Sequence, residues 1–233
     1  MKRTSTLLIS SSLFTFIFTS CSGPWSEEQK NALTTVSITP PTHAENSRKG
    51  SNVVEKSTAG SMGAAAMGGG LIPALVGVAI DASVTAHRKS EFEEKHGTIE
   101  DAAAAMDKSV PSDIGMRLRN KLTVQLKNDA FFGPRLRKTS PNRFDGELYT
   151  YGLVACDTIE DVPQIGARLQ ARIWLEDANG ETPLDVTKIA ESSSTFPATT
   201  LMSQPKRVEQ LFDEACDDFA RQIQEEVDNK LNR

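Results

Sequence analysis

The sequence predicts an α+β domain: a mostly antiparallel sheet of about four to five strands with two amphipathic helices on one face, plus a Gly/Ala-rich helical insert. Three observations predict it. After Pro205, the residues Val208, Leu211, Phe212, Ala215, Phe219, Ile223, Val227 and Leu231 make one apolar stripe at helical spacing. Earlier, Ile114, Leu118, Leu122 and Leu126 recur at steps of four behind Ser112, a second helix with one apolar face. Between them, Leu169, Ala171, Ile173 and Leu175 alternate with Arg168, Gln170 and Arg172, and Asp177-Ala178-Asn179-Gly180 follows. That is a half-buried strand running into a hairpin, with Asn-Gly suited to the positive φ angles of a type I′ turn. Helices stacked on one face of a sheet are the layered solution that buries both sets of apolar residues.

The elements follow in chain order. Lys2 and Arg3 precede an apolar run from Leu7 to Phe18, which has signal-peptide length and is short for a bilayer span. Phe18-Thr19-Ser20-Cys21 then sets small residues before a cysteine. This resembles a bacterial lipoprotein signal, with Phe18 standing where an aliphatic residue is usual. The resemblance implies cleavage before Cys21, acylation of that cysteine, and a division into a lipoprotein signal peptide (1–20), a tether (21–31), a strand with the Gly/Ala-rich insert and helices (32–109) and the main α+β part (110–233). In this division Ala32 to Thr39 is a strand rich in β-branched residues, stopped by Pro40-Pro41, and Thr42 to Lys56 is a polar loop.

Ala59 to Ile80 carries no charge, and Gly68-Gly69-Gly70 argues against an unbroken helix. Pro73 suits the first turn of a helix from Leu71 toward Lys95, and an Ala-rich helix covers Ile99 to Lys108. The segment has three readings: a loop and helix packed on the domain or along the membrane interface, a small-residue surface for self-association, or a membrane-spanning element. Past the Ile114 helix, Pro134 to Thr139 reads as a short strand. Phe144 to Cys156 reads as a longer one, with Leu148, Val154 and Cys156 on the inner face and Tyr149, Tyr151 and Leu153 on the other. Val186 to Ala190 pairs back across the hairpin, and Ser192 to Ser203 is a polar loop.

Charge and length restrict the function. A chain of 233 residues suits one domain with a tail. Loss of residues 1–20 removes Lys2 and Arg3, moving the formal charge from −5 to −7. An acidic chain does not suit nucleic acid, whose phosphates need a basic surface. It also argues against a purely electrostatic hold on anionic lipid, so membrane attachment falls to the acyl chains that the resemblance implies.

No Gly-x-Ser-x-Gly elbow, His-Glu-x-x-His pair or phosphate loop occurs, so the chain is read as non-enzymatic, without metal or cofactor. His87, Glu91 and Glu94 share a helical face by spacing, with His96 just beyond. One imidazole and two carboxylates could grip a metal there, but nothing fixes a second shell and the group reads as a solvated helix end. Cys156 and Cys216 both point toward the core layer, where they either form a disulfide or remain two buried thiols. Tyr149, Tyr151 and Trp174 are candidate ligand-facing aromatics, with ordinary sheet packing as the alternative.

The element order from residue 32 to 230, with GGGLIPALVGVAIDA and ARLQARIWLEDANGE, resembles auxiliary lipoproteins of lipid-transport ABC systems. It also resembles lipoproteins similar to the amino-terminal domain of TolB. The resemblance implies a non-catalytic envelope protein, anchored by its acyl chains and facing the periplasm. It would bind a partner protein, or a second copy of itself, in the assembly or regulation of an envelope complex. The alternative is a lipid or small-ligand carrier. Ser22, where enterobacterial sorting would place Asp for inner-membrane retention, points to the outer membrane.

Overall fold

The computed structural model describes residues 23–49, 106, 108–159 and 162–232. The signal segment, Cys21, the Gly/Ala-rich insert and the His87–His96 group lie outside them. The element order is α1 (Glu27–Ala32), β1 (Ser37–Ile38), β2 (Thr42–Lys49), α2 (Ile114–Asn128), a 3-10 turn (Gly133–Arg135), β3 (Arg143–Ile159), β4 (Val162–Glu176), β5 (Leu184–Glu191), β6 (Phe196–Pro197), α3 (Ala198–Ser203) and α4 (Lys206–Leu231). The protein is α+β, as the sequence predicts.

Among the described residues the sheet has six strands, two of them only two residues long. β3, β4 and β5 form its antiparallel centre. β1 and β2 both pair parallel with β3, and β6 pairs antiparallel with β4. Parallel pairing of β1 with β3 needs a crossover, because no tight turn can join parallel strands; α2 lies on that crossover.

Helices α2 and α4 run in the same direction. Arg117 meets Asp213 at 2.7 Å, Lys121 meets Asp217 at 2.6 Å, and Asp129 accepts from Gln224 at 2.9 Å. Both members of each successive pair lie later in the chain, so the axes are parallel. Beneath this polar seam Ile114, Leu118, Leu122 and Leu126 of α2 pack with Leu211, Phe212, Phe219 and Ile223 of α4 in one core. The two helical stripes read from the sequence are this core.

One residue changes the inner face of β3. Phe144 faces Leu175, Gly146 faces Ile173 and Leu148 faces Ala171; after a bulge at Tyr149, Tyr151 faces Leu169 and Leu153 faces Ala167. An extra residue in one strand reverses the alternation beyond it. Phe144, Leu148, Tyr151 and Leu153 are therefore buried on the helix side. The expected grouping of Leu148 with Val154 and Cys156 is corrected, and so is that of Tyr149 with Tyr151.

Three further expectations change. The expected tether (21–31) is docked from Trp25 onward: Trp25, and Leu33 just beyond it, are buried in the core. Between them Ser26 accepts from the Gln29 amide at 3.2 Å and Gln29 Oε1 accepts from the Ser26 amide at 3.0 Å, a capping box that starts α1. Part of the polar loop after Pro41 is β2, which pairs through backbone groups and needs no apolar alternation; its register slips between His43 and Arg48. The polar stretch after Ser192 contains β6 and α3.

The hairpin forms where expected, with another turn. Gly180 has φ +80° and is joined in the positive region only by Asn232 among described non-glycine residues, so Asn179 is not left-handed and the turn is not type I′. The Gly180 amide donates to Asp177 O at 3.0 Å and the Asp177 amide to Glu181 O at 2.9 Å. This matches a type I turn followed by a left-handed glycine bulge. Asp177 Oδ1 accepts from the amides of Asn179 and Glu181, at 2.8 and 2.9 Å, which stabilises the turn.

Candidate functional site

The chain that follows Cys21 reaches the folded domain within a few residues, at the end of the molecule where α4 terminates. The Trp25 amide donates to Lys230 O at 2.6 Å, and its indole Nε1 donates to Pro183 O at 2.9 Å. Lys230 Nζ donates to Gly23 O at 3.2 Å. The Trp25 ring stands edge-on to Phe132, with centroids 6.1 Å apart. One side chain thus joins the N-terminal segment, the hairpin, the loop after α2 and the end of α4. The sequence reading missed this residue. Its available signal was a tryptophan four positions after the cysteine, ahead of Ser26 and Gln29.

Asn142 completes this pole. Its side chain is almost fully buried and donates to Thr35 O at 2.8 Å and Ala32 O at 3.3 Å, while its Oδ1 accepts from the Ala178 amide at 2.8 Å. A buried amide persists where its donors and acceptors are satisfied. At the end of α2, Asp129 Oδ1 accepts from the amides of Phe131 and Phe132 at 2.8 and 2.7 Å. Arg135 donates to Phe131 O at 2.6 Å with its guanidinium 4.0 Å from the Phe131 ring centre, and Arg137 donates to Pro134 O and Leu136 O. In the segment Pro134 to Thr139, expected as a short strand, Leu136 packs against the core beside a single bridge to Val36.

The candidate aromatics do not form one site. Tyr151 is buried in the core, edge-on to Phe212 with centroids 6.3 Å apart. The bulge leaves Tyr149 on the other side of the sheet, beside Arg172. Trp174 is on that outer face too, with the Arg172 guanidinium 5.2 Å from its ring. Arg172 in turn holds Asp185 through two hydrogen bonds of 2.8 and 2.6 Å. The pairing lowers the Asp185 carboxyl below its ordinary pKa, chiefly through that hydrogen bond and against the opposing effect of burial. Arg143 with Glu176 and Arg168 with Glu191 extend the same pattern across the outer face. These charges fix strand register, each at the modest worth of an exposed pair.

Cys156 and Cys216 are not bridged. Cys216 lies fully buried on α4, and burial, helped by Asp213, pushes its thiol up to about 12. Cys156 sits beside Gly166, on the face of β4 opposite Ala167 and Leu169; a Cβ placed on Gly166 would lie 3.0 Å from its Sγ. The reversed alternation after Tyr149 separates the two sulfurs across the sheet, which corrects the expected shared layer.

A cavity lined by Ile38, Pro41, Leu118, Phe144 and Ile173 has a volume of about 10 Å³, about enough for one water. Among the described residues no group of three or more His, Cys, Asp or Glu side chains could hold a metal ion. Nor is any helix among them long and apolar enough to cross a membrane.

No protein-family model matches the chain, and no curated protein matches it. Among solved structures, it is similar to a minor lipoprotein from Acinetobacter baumannii, a crystal structure at 2.35 Å. The identity is 18%, the TM-score 0.36, and the match covers 50% of this chain and 86% of that one. A likeness of that size carries no assignment of function.

Proposed function

We propose that the protein is a lipid-anchored, non-catalytic component of a bacterial envelope, facing the periplasm from the outer membrane. There it binds a partner protein in the assembly or regulation of an envelope complex. The observation that carries this reading is the Lys2-Arg3 start, the apolar run and Phe18-Thr19-Ser20-Cys21, followed almost at once by the docked Trp25. A folded domain that begins directly behind an acylated cysteine is held at the membrane surface rather than released from it. Three acyl chains at Cys21 would make that hold effectively permanent, because one alone binds only reversibly.

The polar residues described above pair with one another. Arg172, Asp185, Arg117 and Asp213 are each committed to cross-strand or interhelix pairs. The carrier alternative would need room for a lipid chain, whereas ligand sites commonly have about 300 Å³ or more. The cavity beside Pro41 falls far short of that.

The test is crosslinking of the tagged full-length protein in intact cells, with Cys21→Ala as control. A stoichiometric envelope protein captured with the native chain and lost with Cys21→Ala is the expected result. Capture of lipid alone would favour the carrier, and equal capture by both forms would remove the anchor from the function.

A further inference from the structure

The anchor reading has a geometric consequence, because the length of chain behind Cys21 is too short to let the domain turn freely. Trp25 is 4% exposed and bonded at both its amide and its indole. Four residue steps from Cys21 to Trp25 span at most about 14 Å even when fully extended. Helix α4 measures the rest of the molecule: Lys206 to Leu231 is 26 residues, about 39 Å at 1.5 Å per residue. Its last turn touches Trp25 through Lys230, so its first turn lies beyond the reach of that tether.

We propose that the pole built from Trp25, the Asp177–Gly180 hairpin and the C-terminal end of α4 lies against the phospholipid surface, and that the Lys206 end of α4 points away from it. This rests on the reading of Cys21 as the lipid anchor. The chemistry of the pole suits phospholipid headgroups. The loop Gly133–Lys138 adjoins Trp25 through Phe132 and carries Arg135, Arg137 and Lys138. Among the described residues Arg135 and Arg137 are bonded to backbone carbonyls, and Arg135 also stacks on Phe131, so both keep their positive charge at this pole. Tether length selects this side of the domain for the surface; Glu27, Glu28 and Glu181 are exposed there beside the cations.

The chain connectivity agrees with this arrangement. β2 runs from Thr42, opposite Glu147, to Lys49, opposite Tyr151, away from the Trp25 pole. The chain returns at the start of α2, which runs parallel to α4 and so begins on the distal side. Lys49 and the start of α2 therefore both lie on the half that faces away from the bilayer.

The experiment uses the full chain, made in bacteria, carrying Cys156→Ser and a fluorophore at either Asn179→Cys or Lys206→Cys. Intact mass first establishes whether Cys21 bears acyl chains. The protein is then placed in phosphatidylethanolamine–phosphatidylglycerol vesicles containing a headgroup nitroxide lipid. The expected result is an acylated protein whose Asn179 label is quenched several-fold more strongly than its Lys206 label. A flexible Gly/Ser insert of about twenty residues between Gly23 and Pro24, reaching about 25 Å on average, should abolish most of that contrast without touching the fold. An acylated protein with equal quenching at both positions overturns the orientation alone. Contrast that survives the insert overturns the tether as its cause. A protein without acyl chains overturns the anchor reading and this proposal with it.

Discussion

Trp25 and Pro183 stand 158 positions apart in the chain and are joined by a hydrogen bond of 2.9 Å from the indole nitrogen to the proline carbonyl. The bond ties the first residues of the domain to the hairpin that closes its central strands. Replacing Trp25 by Phe keeps most of the ring and leaves the carbonyl without this donor, at an expected cost of about 1–2 kcal/mol. Replacing it by Ala also leaves a cavity beside Phe132, for about 3–5 kcal/mol in all. Urea unfolding of the two variants checks the order; equal losses would mean that the hydrogen bond contributes nothing.

Gly115 offers a case where two effects have opposite signs. An alanine in a helix is favoured over glycine by about 1 kcal/mol. A Cβ at Gly115, however, would lie 2.3 Å from the carbonyl oxygen of Pro41, which requires backbone movement just before β2. The steric effect wins, and Gly115→Ala is expected to lower stability by about 1–3 kcal/mol. A variant as stable as the native chain, or more so, in thermal unfolding would show that the Pro41 segment yields freely.

The cysteines make a chemical prediction. The thiolate is the reactive form, and Cys216, raised to about 12 by burial and then by the nearby Asp213 charge, stays protonated at pH 8. Under native conditions a thiol reagent should leave Cys216 unmodified, and it should react only on unfolding. With Cys21 acylated, titration in denaturant without reductant should find two thiols. A count of zero would show an oxidised pair and a different register in β3.

Glu214 predicts a pH dependence. Burial raises its pKa, but hydrogen bonds from Gln210, the Ser194 amide, Ser194 Oγ and Ser193 outweigh that effect and leave it below its ordinary value. A carboxyl depressed in the folded state stabilises the fold above its unfolded pKa of about 4.3 and loses that contribution as pH falls through its folded pKa. Glu214→Gln should therefore cost about 1–2 kcal/mol near neutrality, and the gap from the native chain should narrow below about pH 4. Paired unfolding curves at neutral and acid pH check the sign. A gap that widens on acidification would place the Ser193–Ser194 loop elsewhere.

What the sequence by itself determined was whatever repeats within a single element. The stripe of α4, the four leucine and isoleucine positions of α2 and the alternation of β4 each bury one face, so their periods show directly in the residues. What tertiary structure decided was whatever depends on one residue or on a partner distant in sequence. The bulge at Tyr149 reversed the later half of β3, moving Tyr151 into the core and Cys156 out of it. β2 is polar, and only the backbone of β3 makes it a strand. Trp25 and Asn142 are fixed by partners at Pro183, Lys230, Thr35 and Ala178. Periodicity records which face is buried; it holds no record of the register in which distant segments meet.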